Sequence, residues 1–299
     1  SISYKGKSIY IRPICLVNFI YKPIFAPLAH FYRFWYLYST PSTTRKNIPT
    51  AARRERINLR LKRQTGITMD IKILQQPDDV TCGPTSLQAV YNHLGYKISL
   101  KQLISEIEFL EDGGTLGVFL GIDALKRGFK VTLHSYNLTL LDPTWSELSM
   151  PELKAKLELL HKAKHAPKLR KAIEAYIRFI DLGGKVAFED LRAAMFEKYF
   201  KKGVPVLCGL SATSLYRSMR EFTGADDKSV FDDIHGEPMG HFVVVYGMDD
   251  KKQFMVADPD GSNPLHKGPY YKVDKFRLIH SILLGVMTYD GNVLVIEKK

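Results

Sequence analysis

The stretch Gln76-Pro77-Asp78-Asp79-Val80-Thr81-Cys82-Gly83-Pro84-Thr85-Ser86-Leu87 constrains this 299-residue chain more than any other. It reads as a loop that delivers a cysteine to the first turn of a helix. Leu87, Val90, Tyr91 and Leu94 recur at helical spacing and define one buried face. Pro84 is tolerated so early because the first four amides of a helix have no intrahelical partner. Thr81 is placed to cap the helix and Gly95 to end it. The expected helix runs from about Cys82 to Leu94, with the thiol at its positive end. A thiolate is the attacking form of cysteine, and a helix N-terminus and a nearby imidazolium both favour it. The bland alternative is a small buried hydrophobe, the commonest fate of a free cysteine. A partner elsewhere in the chain has to decide.

Charge narrows the partners. The net charge of +12 suggests nucleic acid until it is located. Residues 1–68 carry 13 Lys and Arg against a single acid, Glu55, whereas residues 69–299 carry 30 basic and 30 acidic side chains. The excess belongs to the leading segment, and the body is neutral, so no nucleic-acid partner is expected. The three cysteines, Cys15, Cys82 and Cys208, are too scattered for a disulfide framework or a zinc site. The expectation is a reducing, cytoplasmic setting with no metal and no cofactor.

Residues 1–68 differ in kind from the rest. Lys22, Pro23, Pro27, His30 and Arg33 interrupt the apolar and aromatic run from Ile9 to Tyr38, so no membrane span is expected. The favoured reading is a basic, non-domain extension translated upstream of a natural start at Met69. A membrane-surface or partner-binding extension and a removable pro-segment are the alternatives. A single domain is expected over 69–299, opening with a strand at Met69–Leu74.

Ser99 caps an expected helix over Leu100–Phe109, and Thr115 caps another that reaches about Arg127 and closes at Gly128. Phe129–Ser135 reads as a strand. Residues 142–202 read as a mainly helical insert, with basic amphipathic segments at Pro151–Lys164, Lys168–Ile180 and Ala187–Lys202. Its lysines read as a solvated face, and the insert as a whole as a lid or substrate-recognition element. Val204–Leu210 is a buried strand that holds Cys208 in the core. Ser211–Asp233 is loop-rich, with Tyr216, Arg217 and Arg220 as candidate substrate contacts.

The deciding pair comes late. Gly240-His241-Phe242-Val243-Val244-Val245-Tyr246-Gly247 is a strand that opens with histidine, and Gln253-Phe254-Met255-Val256-Ala257-Asp258 is its return. If the hairpin closes with Gly247 facing Lys252, counting places His241 opposite Asp258, within ~4.5–5.5 Å between Cβ atoms. An acid beside an imidazole is the arrangement that a catalytic base needs; the alternative is a structural pair at a strand end. The other histidines offer less. His93 lies 11 residues along the cysteine helix, ~16 Å from Cys82 at 1.5 Å per residue. His134 sits inside a strand, His161 and His165 lie in the basic segment, and His235, the best rival, has no partner fixed by strand pairing.

These residues resemble a known family. A Gln six positions before Cys-Gly-Pro, a late Gly-His heading an apolar strand, and then Asp-Pro are similar to the papain-like bacteriocin-processing cysteine peptidases, the double-glycine peptidases, in their stand-alone branch. Gly268-Pro269-Tyr270-Tyr271-Lys272-Val273-Asp274-Lys275-Phe276 and Leu284-Gly285-Val286-Met287-Thr288-Tyr289-Asp290 add to the likeness, which covers about 69–299. The resemblance implies an α+β papain-like fold, a helical half packed on a mostly antiparallel sheet from strands near 129–135, 204–210, 242–247, 253–258 and 284–297. It implies Cys82 as nucleophile, His241 as base and then acid, Asp258 as orienting acid, and Gln76 with the Cys82 amide as oxyanion donors. The substrate would be a peptide or protein. The best-known members carry a transporter and cut after two glycines; no transporter segment occurs in this sequence. A thiol acyltransferase or deamidase would use the same triad, and a catalytically silent peptide-binding module is the rival from another class.

Overall fold

A computed structural model describes residues 66–111, 113–223, 229–265 and 268–299. The readings for residues 1–65 lie outside the described residues. In chain order the elements are β1 (Ile67–Thr68), α1 (Cys82–His93), α2 (Leu100–Glu106), α3 (Gly117–Lys126), β2 (Lys130–Ser135), α4 (Met150–Ala163), α5 (Pro167–Asp181), β3 (Lys185–Ala187), α6 (Ala193–Phe200), β4 (Val206–Ser211), α7 (Ala212–Tyr216), β5 (Glu221–Thr223), β6 (Ser229–Phe231), β7 (Gly240–Met248), β8 (Gln253–Ala257), β9 (Tyr270–Asp274), α8 (Lys275–Leu284) and β10 (Asn292–Glu297). Short 3-10 turns cover Pro143–Trp145 and Gly285–Thr288.

The main sheet runs β3-β2-β10-β4-β7-β8-β9, with β1 also paired to β7. Every pairing in it is antiparallel except β2 with β3. Both faces are covered, which is why its central strands read as unbroken apolar runs rather than alternating ones. Alternate residues still separate: Phe242 and Val244 join a first core with α1, α3 and α5, while Val243 and Val245 join a second with α6 and α8. Leu294 and Ile296 face the first core, and Val293 and Val295 the second. The fold is thus α+β, with the cysteine helix packed on a mainly antiparallel sheet.

Helix α1 is buried almost all round, from Cys82 to Tyr91. Its polar hydrogens find partners inside the protein: the Thr85 hydroxyl donates to Thr81 O at 2.8 Å, the Gln88 side-chain amide to Ile98 O at 3.2 Å, and the Tyr91 hydroxyl to Asp123 at 2.6 Å. The expected cap at Thr81 does not form. Its hydroxyl donates instead to Asp78 O at 3.3 Å, stitching the cysteine loop to itself. Ser99 caps α2 as expected, accepting from the Gln102 amide at 3.2 Å. Thr115 does not cap α3; Leu116 takes that position, and the Thr115 hydroxyl donates to Glu108 O at 2.7 Å.

Three further expectations change. No strand forms over the expected Met69–Leu74; the strand lies just before it, at Ile67–Thr68, which pair with Met248 and Gly247, and the Met69 amide donates to Tyr246 O at 3.0 Å. Residues 284–291 end a helix and form a 3-10 turn, so β10 begins at Asn292. Residues 142–202 contain helices, but Leu153, Leu157, Ile173 and Phe179 are fully buried in the first core and Val186 belongs to the sheet edge. Their apolar faces are part of the domain core. Among the described residues, no helix is long and apolar enough to cross a membrane.

Candidate active site

The site forms where α1 begins, β7 begins and β8 ends. Gly83 sits so close to its neighbours that an added Cβ would lie 2.5 Å from Thr115 Cγ2 and 3.3 Å from the Phe242 ring. One turn along α1, the buried Ser86 hydroxyl donates to Phe242 O at 3.0 Å. Phe242 follows His241 directly, so this bond fixes the cysteine helix against the histidine strand. Cys82 precedes Gly83 directly, and it acts on the His241 ring, favouring its charge. Both are nearly inaccessible, at 8% and 7% exposure.

His241 Nε2 lies 2.8 Å from Asp258 Oδ1, and Asp258 is completely buried. With Nε2 given to the carboxylate, Nδ1 is the ring nitrogen left for the thiol. Burial opposes a charge on His241, but the Asp258 carboxylate, its hydrogen bond to the ring and, after them, Cys82 outweigh it and raise the imidazole pKa well above 6.5. Burial likewise opposes ionisation of Asp258, and is outweighed by His241 and by hydrogen bonds from His241, Tyr271 and Tyr216, which hold its pKa below 3.8.

The pairing differs from the simple count. The turn at residues 249–252 sets Met248 opposite Phe254 and Gly247 opposite Met255, a register that would send Asp258 to the face opposite His241. A bulge between Val245 and Gly247 then inserts one residue, after which Val245 faces Val256 and Val244 faces Ala257. The extra residue restores the face. Asp258 continues in line with Val243, two residues from His241, and the side chains meet on the diagonal instead of directly across.

Gln76 is anchored nearby, its amide donating to Pro259 O at 2.9 Å, beside Asp258. Its side-chain Nε2 donates to Asp78 O at 2.9 Å, within its own loop, and its Oε1 is buried without a partner. The structure therefore bonds His241 to Asp258 beside the start of the cysteine helix, and leaves the Gln76 side-chain amide hydrogen-bonded within its own loop.

Neighbours complete the setting. Asp290 is buried, and desolvation pushes its pKa up to about 8, against the Thr288 hydroxyl and the His241 charge. Near neutrality it is mostly uncharged, so Asp258 is the ionised partner of the imidazole; two carboxyls beside one group are separated by environment. Glu221 of β5 is also raised, mainly by partial burial, with Asp79 and Asp260 adding to it and His241 opposing. The β5–β6 hairpin thus borders the site.

Sequence reasoning missed Tyr271 and misassigned Tyr216. Both tyrosine hydroxyls donate to Asp258 Oδ2, at 2.8 Å from Tyr216 and 2.6 Å from Tyr271. The usable signal was Tyr271 at a buried position of an alternating strand, since a buried hydroxyl needs a partner. Arg220, a candidate substrate contact, donates to the carbonyls of Asp233 and Ile234. His93 spans the carbonyls of Asp70 and Gly203, and His134 pairs with the Tyr199 hydroxyl at 3.0 Å. His235 pairs with Asp232 at 3.0 Å on the surface.

Several solved structures resemble this chain, three of them as follows. A C39-like peptidase described from Bacillus anthracis aligns at 15% identity and TM-score 0.39, over 78% of this chain and 98% of that one. The peptidase domain of Streptococcus ComA, a bi-functional ABC transporter involved in quorum sensing, aligns at 16% and 0.35, over 76% and 98%. Xylellain, a cysteine protease from Xylella fastidiosa, aligns at 15% and 0.34, over 79% and 85%. No protein-family model matches the chain, and no curated protein matches it.

Proposed function

We propose that this chain is a papain-like cysteine peptidase that hydrolyses a peptide bond through Cys82, His241 and Asp258. The observation that carries the reading is the line of a thiol at a helix N-terminus, a buried imidazole of raised pKa that this thiol helps to charge, and a buried carboxylate 2.8 Å from that imidazole. Such a line separates the roles that acyl transfer needs: nucleophile, proton carrier and orienter.

In the reading, Cys82 passes its proton to His241 and Sγ attacks the carbonyl carbon. The oxyanion is met by the Cys82 amide, one of the unpaired donors of a helix start. Gln76 adds a second donor once its Nε2 turns from Asp78 to the substrate. His241 protonates the leaving amine, and the acyl group remains as a thioester. Water then enters, gives a proton to His241 and releases the acid. Asp258 keeps Nε2 occupied, so that proton traffic passes through Nδ1. Directly across from Glu221, the exposed Phe231 side chain offers an apolar contact for an extended peptide.

The test is incubation with a complex peptide library and mass-spectrometric reading of new termini. The reading expects cleavage that disappears in Cys82→Ala and in His241→Ala. Cleavage that persists in Cys82→Ala overturns it.

A further inference from the structure

The Asp258 carboxylate is held by four donors. Oδ1 accepts from His241 at 2.8 Å and from the Asp260 amide at 3.0 Å. Oδ2 accepts from Tyr216 at 2.8 Å and Tyr271 at 2.6 Å. A carboxylate has about four acceptor sites, so this one is saturated although no water reaches it. We propose that Tyr216 and Tyr271 are positioning residues, whose hydroxyls clamp Oδ2 so that Asp258 stays ionised and presents Oδ1 to His241. The proposal rests on the peptidase reading for its consequence in catalysis, but not for the clamp itself.

The donors come from separate elements, each fixed independently. Tyr271 lies within β9, where it pairs with Val256 of β8. Tyr216 ends α7, a five-residue helix that follows β4 at once, with Ser211 accepting from the Ser214 amide at its start. The Ala212 amide donates to Met239 O at 2.8 Å, two residues before His241. Ser281 of α8 donates to the Ser214 hydroxyl at 3.1 Å. Arg217, next in the chain, takes the left-handed conformation at φ 55, which a side chain adopts at a cost, and it stops α7 with Tyr216 as its last residue. The Tyr216 ring also lies 6.0 Å from the His241 ring, so it borders the imidazole as well as its partner.

The hydroxyls donate and do not compete. Burial and then the Asp258 charge raise the pKa of both tyrosines, so each keeps its proton throughout the working range. Without them, Oδ2 would be a buried anionic oxygen with no donor, and neutralising Asp258 would be the cheapest relief. The imidazolium would then lose its counter-charge.

Several other groups act on His241: Cys82 from α1, Glu221 from β5 and Asp290 before β10, with Asp260 and Asp79 reaching it through Glu221. None of them touches Asp258 Oδ2. A Tyr→Phe change keeps the ring and removes only the donor, so it isolates the clamp from these groups.

The experiment is a pH titration of ¹³C-labelled histidine in the full chain, following the His241 ring carbon, with thermal melting of each variant alongside. Wild type should titrate well above 6.5. Tyr216→Phe with Tyr271→Phe should lower the His241 midpoint by about one pH unit or more, a tenfold change in proton affinity. Tyr136→Phe removes a hydroxyl that serves Glu189 O and should leave the midpoint in place. A merely structural role would lower the melting temperature and leave the titration unmoved. An unchanged midpoint in the folded double variant overturns the proposal; if the double variant does not fold, an unchanged midpoint in both single variants does so. Iodoacetamide labelling of Cys82 in wild type is read separately: its absence removes the peptidase reading, while the titration still decides the clamp.

Discussion

The chain keeps two cysteines among its described residues, both buried and both free, and their surroundings divide them. Cys82 starts a helix, keeps 8% exposure and acts on the His241 ring, favouring its charge. Cys208 sits mid-strand in β4, fully enclosed by the second core, its thiol reaching only Val206 O at 4.0 Å. Burial alone pushes the Cys208 thiol far up, with no charge to oppose it. One thiol is given an imidazole and a helix end; the other is given methyl groups. Thiol reactivity follows such partners and not burial, which the two share, so Cys82 is the one expected to react.

The largest expected effect follows from removing each thiol in turn. Cys82→Ala should abolish turnover with little loss of stability. Cys208→Ala should retain turnover and lose about 1–2 kcal/mol, the cost of a small core cavity, read by chemical denaturation. Reversal of that pattern would break the contrast.

Next come the groups that make Cys82 different. His241→Ala or Asp258→Asn should slow turnover about 10²–10⁴-fold, the range for general acid–base catalysis. The pH dependence of stability should change with Asp258→Asn. Asp258 has a lowered pKa, so its contribution is present above 3.8 and fades as pH falls through its folded value. His241 has a raised pKa, so its contribution is full below 6.5 and fades as pH rises through its folded value. Wild type should therefore gain most from the pair between 3.8 and 6.5, and Asp258→Asn should flatten that window in melts taken across pH.

Smaller effects should come from the alignment of helix and strand. Ser86→Ala leaves the bond to Phe242 O unmade and should cost about 1 kcal/mol, with a several-fold slower rate. Gly83→Ala must displace Thr115 Cγ2, whose buried side chain is held by its bond to Glu108 O, so the expected cost falls on stability as well as on rate, with the rate loss still below that of Asp258→Asn. A Gly83→Ala variant more damaged than Asp258→Asn would mean that backbone approach, and not the buried pair, dominates.

The sequence offered Cys82, His241 and Asp258 as candidates but not the geometry that relates them. Cys82 was legible because a Gly-Pro after it and an apolar period beyond it leave few alternatives. His241 and Asp258 were legible as ends of two apolar runs. Their actual relation was not, because counting assumes an unbroken ladder. The bulge at Tyr246 and the left-handed Lys252, at φ 63 in the turn, leave no mark in composition. A miscount of one residue would have put the two side chains on opposite faces. Tyr216 and Tyr271 were illegible as a pair because their meeting point lies between α7 and β9, joined only through the sheet. The missing cap at Thr81 has the same origin: the loop's own carbonyl at Asp78 claimed the hydroxyl.

The account turns on Cys82 being the activated thiol, and labelling tests it most directly. The full chain is exposed to limiting iodoacetamide at neutral pH, and the adduct is located by mass spectrometry in wild type, His241→Ala and Asp258→Asn. The account predicts that Cys82 is labelled well before Cys208, and that the labelling slows sharply in both variants. Equal labelling of Cys82 and Cys208, or a Cys82 rate that does not respond to His241→Ala, would contradict it.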